Sequence, residues 1–496
     1  MLQIQASREA PPLIDDARRA RLVFCLVAAG VMAAALLALA ASLLQDPDSW
    51  WHIKVGQDIL ASRAFPTIDT YSYTFAGHPW IAKEWLGQVL LALAYDAADW
   101  SGVALLTIAM VVLTVFLMSW HLGVWLKPTL AAGLTIVLAL LIDPVYIARP
   151  HIFTLPIIVV WTAYLFDAAR NEQAPPLWLL PLLCLWANLH ATFTFGFVIA
   201  AFAGLDLLMR IRLSNPALLA KWVAFGLLCP LVSLLNPYGV KAILATFTVA
   251  HGNEAVPYIM EWRPFNASEH GFQEMALLTV FFGLLVSRLQ IGWAKALFLV
   301  FTLHIYLTHI RFIYLFFLLV PIVLAVEVAQ QYPALSARKW AEEKRDGLEQ
   351  FFVRRFRQVW GGIAVLLVLA SAAFIATYPV APSQKTSAKN ALAFAQTRNL
   401  SANLLNSYDF GGTLIFHGIK TFIDGRTDQL FLNGFAKADE QMGRSGGKPV
   451  LQAQLDKYAI DWALLTADDS RIPFFDELGW KRAYTDDYAV IYMRDH

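Results

Sequence analysis

The feature that most constrains this chain is a succession of apolar runs, each too long and too continuous for the exposed face of a soluble domain. In hydrocarbon a backbone must satisfy its own hydrogen bonds, so runs of this kind are read as helices that cross the layer. Residues 22–44 form the first run and follow Arg18, Arg19 and Arg21. The run exceeds the roughly 7 to 15 residues of a signal-peptide core, so it is read as a retained first helix. Further runs lie near 101–125, 129–146, 151–168, 177–190, 192–210, 222–236, 273–288, 293–308, 311–330 and 359–378, which makes eleven. Several fall short of the roughly 20 residues of an upright span, so their boundaries are approximate. Composition agrees, with 58% hydrophobic and 15% charged residues. A soluble domain carries roughly 25% charged residues.

The net charge of +1 selects no partner, and nothing points to nucleic acid. Cys25, Cys184 and Cys229 all lie inside apolar runs, as small hydrophobes do. That pattern argues against a disulfide framework or a cysteine metal site.

Charge placement sets sidedness, because lysine and arginine accumulate in short cytoplasmic connections. With the N-terminus inside, the inside connections hold Lys127, Arg170, Arg210, Arg212, Lys221, Arg288 and Lys295, and then the basic segment 338–357. An odd number of crossings puts the C-terminus outside. The expected fold class is therefore mainly α, a polytopic membrane protein of about 11 transmembrane helices with a small C-terminal extracytoplasmic α/β domain. Residues 1–378 form the transmembrane domain and 379–496 the α/β domain. The first outer loop, 45–100, should carry two interfacial helices, one in 50-WWHIKVGQDIL-60 and one starting near Trp80, with the paired tryptophans at the membrane surface. In the tail, 413–418, 420–425, 461–466 and 488–493 read as strands, and 386–399 and 450–458 as helices.

The less common polar residues then fall on one side. Arg149 and His151, Asn188 and His190, Asn236 and Tyr238, Glu261 and Arg263, and His309 with Arg311 all mark outer ends of spans, facing Asp46 and Asp48. Charge is costly in the bilayer, so such groups tend to face a protein-lined cavity. Histidine and arginine opposite carboxylates make a cradle for a phosphorylated ligand. A plainer reading keeps Asp46 and Asp48 as caps of the following helix, and Asp424 with Arg426 in 422-FIDGRTDQ-429 as a structural pair.

The stretch 48-DSWWHIKVGQDILASRAFP-66 resembles the first outer loop of GT-C glycosyltransferases, integral membrane enzymes that use polyprenyl-phosphate-linked sugars. In bacterial relatives of protein mannosyltransferases and of the lipid A aminoarabinose transferase, an acid follows the first span, an aromatic or histidine comes soon after, and a proline lies further on. Asp48, His52 and Pro66 keep that spacing. Across nearly the whole chain, 46-DPDSWWHI-53, 80-WIAKEWL-86, 149-RPHIF-153, 186-WANLH-190, 235-LNPYG-239 and 424-DGR-426 are similar to motifs of a bacterial subgroup in this superfamily.

The resemblance implies an inverting glycosyltransferase of the bacterial inner membrane. It selects Asp48 over Asp46 as general base, and suggests Arg149, Arg311, His151, His190 and His309 as contacts of the donor phosphate. Asp69, Glu84, Glu261 and Arg263 are candidates for acceptor or metal binding. If a divalent cation binds, hard oxygen ligands favour magnesium or manganese. The expected partners are a polyprenyl-phosphate sugar, membrane lipid, and an acceptor that is a glycan, lipid or protein. A flippase for lipid-linked saccharides, a polysaccharide polymerase or ligase, and a membrane sensor are the competing readings.

Overall fold

In the computed structural model the described residues are 13–250, 259–342, 380–400 and 403–494, with isolated positions between 362 and 377. Among the described residues six helices are long and apolar enough to cross a membrane, and four shorter ones, of 10 to 17 residues, are also apolar. In chain order the helices are α1 (Leu13–Ala38), α2 (Asp48–Ser62), α3 (Trp85–Trp125), α4 (Pro128–Leu141), α5 (Thr154–Arg170) and α6 (Leu179–Leu189). They continue with α7 (Thr194–Ile211), α8 (Pro216–Ser233), α9 (Val240–Ala250), α10 (Gly271–Ser287), α11 (Trp293–Thr308) and α12 (Ile313–Gln331). The run expected at 359–378 lies mostly outside the described residues.

The helix expected to start near Trp80 and the span 101–125 are both present, as the two arms of α3, and they meet at a kink where Ala98 and Asp99 leave helical geometry. Asp99 adopts φ 53°, and its carboxylate accepts the backbone N–H of Trp100. The freed amide of the following turn is thereby satisfied, so the break costs little.

The bundle is packed around α5 and α12, whose span-length stretches are both 83% buried. At its edge α8 and α10 expose Val223, Leu227, Leu231, Phe281, Phe282 and Leu285. Hydrocarbon does not penalise such faces, so these helices need no protein cover there.

The C-terminal part holds a four-stranded sheet of order β1-β2-β4-β3. Its strands are β1 (Leu404–Asn406), β2 (Trp462–Thr466), β3 (Lys481–Thr485) and β4 (Ala489–Met493). β1 runs parallel to β2, while β4 pairs antiparallel with both β2 and β3. The strands expected at 413–418 and 420–425 are absent. Gly411–Phe416 is a helix instead, and Thr421 makes an isolated bridge to Ser72. A short apolar run buried on all sides has no periodicity to separate strand from helix.

The helix expected to lie in the membrane interface is enclosed by protein. In α2, Asp48 to Ile53, Val55, Gly56 and Ile59 are buried, between α3 and the helix Gly411–Phe416. Trp50 meets Trp100 edge-on at 4.4 Å and Phe416 at 5.1 Å. Trp51, Val55, Ile59 and Trp80 share one apolar cluster with Leu405, Phe422 and Ile423. The C-terminal part therefore forms a roof whose core is shared with the first loop. Burying two indoles inside protein offers more contact area than a headgroup layer does.

A buried ion triad pins this roof. Arg426 grips Asp424 through Nε at 2.8 Å and Nη2 at 2.7 Å, and reaches Asp69 through Nη1 at 2.5 Å. Its guanidinium also lies 5.1 Å from the Trp80 ring and 5.2 Å from that of Tyr71. Three backbone and side-chain bonds from Tyr73, Thr74 and Thr421 stitch the same seam.

Candidate functional site

Between the bundle and its roof lies a cavity of about 830 Å³. Asp48 enters it from the start of α2, Arg149 from the turn before α5, and Glu261 and Arg311 from the loops flanking α10 and α11, while Asp46 reaches Arg149 from just before α2. Arg149 is the hub: Nε meets Asp46 Oδ1 at 2.7 Å, Nη1 meets Glu261 Oε2 at 2.8 Å, and Nη2 meets Asp48 Oδ2. Glu261 turns its other oxygen to Arg311 Nη1 at 2.8 Å, and the Arg311 guanidinium stacks 4.6 Å from the Trp262 ring.

Electrostatics separates the acids. Burial raises the Asp48 carboxyl to about 7, because the Arg149 guanidinium only partly offsets the loss of solvent and Asp46 adds repulsion. Burial also raises Asp46, again opposed by Arg149. For Glu261 the same burial is outweighed by Arg311 and Arg149, which hold it at about 2. Burial thus gives Asp48 a carboxyl that exchanges a proton near neutrality, the range in which proton transfer is easiest.

A second polar group faces the same space. Glu84 Oε1 lies 3.2 Å from His190 Nε2, and its Oε2 lies 3.9 Å from His52 Nε2. The backbone N–H of Thr192 donates to His190 Nδ1 at 3.2 Å, which makes that nitrogen the acceptor and places the ring proton on Nε2, toward Glu84. Gln88 fixes the His52 ring at 3.2 Å. Burial raises Glu84, with the Lys83 charge opposing it. Beyond this polar end, Phe195, Phe197, Val198, Phe247, Ile305 and Phe312 give the cavity an apolar flank.

The structure brings Asp46, Asp48, Glu84, Arg149, His151, His190, Glu261, His309 and Arg311 to one cavity region. His151 spends Nε2 on Val145 O at 2.7 Å, and His309 packs against Trp262 at 5.4 Å. Two expected members lie elsewhere. Asp69 is sealed in the triad with Arg426, because its carboxylate is the counter-charge that a buried guanidinium needs. Arg263 is exposed beside the cavity and gives only its carbonyl, to the N–H of Ile310. Arg149, expected to face a phosphate, has each of its nitrogens on a carboxylate instead.

Several lining residues escaped the sequence reading. Lys83 pairs with Asp428, and Tyr408, Thr427 and Gln429 line the cavity from the roof. Lys83 stands beside Glu84 in 80-WIAKEWL-86, and Thr427 and Gln429 follow Arg426 in 422-FIDGRTDQ-429, but neither stretch shows by itself which of its side chains face the cavity.

Gly425 brings the roof backbone directly against Asp48. A Cβ there would overlap Asp48 Oδ1 and stand 2.9 Å from Trp51 Nε1. Gly425→Ala is expected to displace Asp48 and lower activity at least about tenfold, since misplacing a reacting group by an ångström is that costly. Unchanged turnover in the purified alanine variant would refute this close approach.

No family model and no curated protein matches the sequence. The structure is similar to the crystal structure of the Archaeoglobus fulgidus oligosaccharyltransferase in the apo form, with a TM-score of 0.54 at 12% identity. The match covers 90% of this chain and 69% of that one. At this identity the likeness carries the fold alone.

Proposed function

We propose that this chain, which has the fold of a GT-C glycosyltransferase, moves a sugar from a polyprenyl-phosphate donor to an acceptor hydroxyl on the extracytoplasmic side of a bacterial inner membrane. The observation that carries the reading is a single cavity joining a polar end, with Asp48, Arg149, Glu261 and Arg311, to an apolar flank with Phe195, Phe197 and Phe312. A lipid phosphate needs both surroundings at once. In this reading the chain crosses the membrane eleven times, with its N-terminus in the cytoplasm and the roof outside.

The acceptor oxygen attacks the anomeric carbon and passes its proton to the Asp48 carboxylate. The carbon–oxygen bond to phosphate breaks, and its electron pair leaves with the phosphate, inverting the anomeric centre. Arg311, which spends one nitrogen on Glu261, stabilises that charge, with His151, His190 and His309 around it. Asp46 holds Arg149 in place, and Glu84 offers acceptor hydroxyls a second carboxylate.

The test is incubation of the purified protein in lipid with a set of polyprenyl-phosphate sugars and a glycan and lipid acceptor mixture. Release of polyprenyl phosphate with appearance of a glycosylated acceptor is the expected result. Movement of the lipid-linked sugar between leaflets with no release would favour a flippase and overturn the assignment.

A further inference from the structure

Asp46 and Asp48 at the start of α2 and Glu261 more than two hundred residues away converge on one point, and at that point stands a guanidinium. Three converging acids beside a phosphate site are the donor set a hard divalent cation would use. The fit to such a cation can be tested atom by atom. Asp46 Oδ1 is held by Arg149 Nε and by the backbone N–H of Asp48, and Asp48 Oδ2 by Arg149 Nη2. Glu261 gives one oxygen to each of Arg149 and Arg311. Asp46 Oδ2 and Asp48 Oδ1 are the acid oxygens that the two arginines leave unengaged, and Gly425 closes one side of the latter. Magnesium needs only one or two carboxylates and keeps waters, but the point on which these acids converge is filled by the Arg149 guanidinium, so a cation does not fit there while Arg149 holds them. Among the described residues no three histidine, cysteine or acidic side chains approach as metal ligands do.

We infer that Arg149 takes the position of a divalent cation, gathering the acids and supplying fixed positive charge, so that the site works without metal. A guanidinium suits this exchange because it is planar, permanently charged and able to donate along three edges. A metal can be removed by a chelator; a side chain cannot. The functional consequence rests on the transferase reading, while the site's indifference to metal does not.

Manganese titration followed by electron paramagnetic resonance tests the inference on the full-length protein. The wild type is expected to bind no manganese in a way that depends on Asp48 or Glu261. Manganese bound by the wild type and lost in both Asp48→Asn and Glu261→Gln would overturn the inference. Manganese bound elsewhere, unaffected by those two substitutions, agrees with it. Arg149→Ala, which uncovers three carboxylates, is expected to tighten manganese binding roughly tenfold or more, whereas Arg149→Lys, which keeps the charge, is not. If the alanine variant fails to fold, the wild-type titration still decides. Transfer should persist in excess chelator. Absence of transfer under every condition counts against the transferase reading alone, because the resonance measurement does not require turnover.

Discussion

On the proposed function, Asp48→Asn is expected to lower sugar transfer by about 10² to 10⁴-fold, the range lost when a positioned general base is removed. The side chain keeps its volume and an oxygen that can still accept from Arg149 Nη2, so the protein stays folded and only the proton acceptor disappears. In the wild type the same group sets the pH profile. Its folded value near 7 means that below neutrality the carboxyl is protonated and cannot accept the hydroxyl proton. The value of kcat/KM should therefore rise with pH up to about 7 and level off above it, and the asparagine variant should lose that limb. Near-normal transfer by Asp48→Asn, with the limb intact, would exclude Asp48 and move attention to Glu84, which lines the same cavity with a raised carboxyl.

Arg426→Met is expected to undock the roof. The substitution keeps apolar bulk but leaves Asp69 and Asp424 buried side by side with no counter-charge, since both are fully covered in the native protein. Removing one partner of a buried ion pair costs about 3 to 5 kcal/mol. Limited proteolysis should cleave the C-terminal part faster, and thermal unfolding in detergent should begin earlier. Adding Asp69→Asn and Asp424→Asn should restore part of the loss, because two neutral amides no longer repel. A proteolysis pattern and unfolding curve equal to those of the wild type would show that the roof is held by its apolar seam alone.

Hydropathy is a local property, so the apolar helices were visible, and so were the polar residues at their ends, Arg149, His190 and Arg311 among them. Asp46 and Asp48 drew attention because two carboxylates directly after an apolar run are unusual. The α2 helix was also visible, but its surroundings were not: Trp50 and Trp51 look the same in sequence whether they meet headgroups or Phe416. The strand expected at 413–418 failed for a related reason, because Gly411 and Gly412 serve close contacts with Asp424 and Pro47 rather than a turn between strands.

Sequence by itself determined the solvent this chain lives in, the helices that suit it and the residue types gathered at one end, because each follows from the chemistry of neighbours along the chain. Only the tertiary structure decided which partner each charge takes. Asp69 meets Arg426 across 357 residues, and Arg149 draws its acids from 101 to 112 residues away. Charges pair by proximity in space, and in a buried site the energy of that choice is far larger than any preference written in local order.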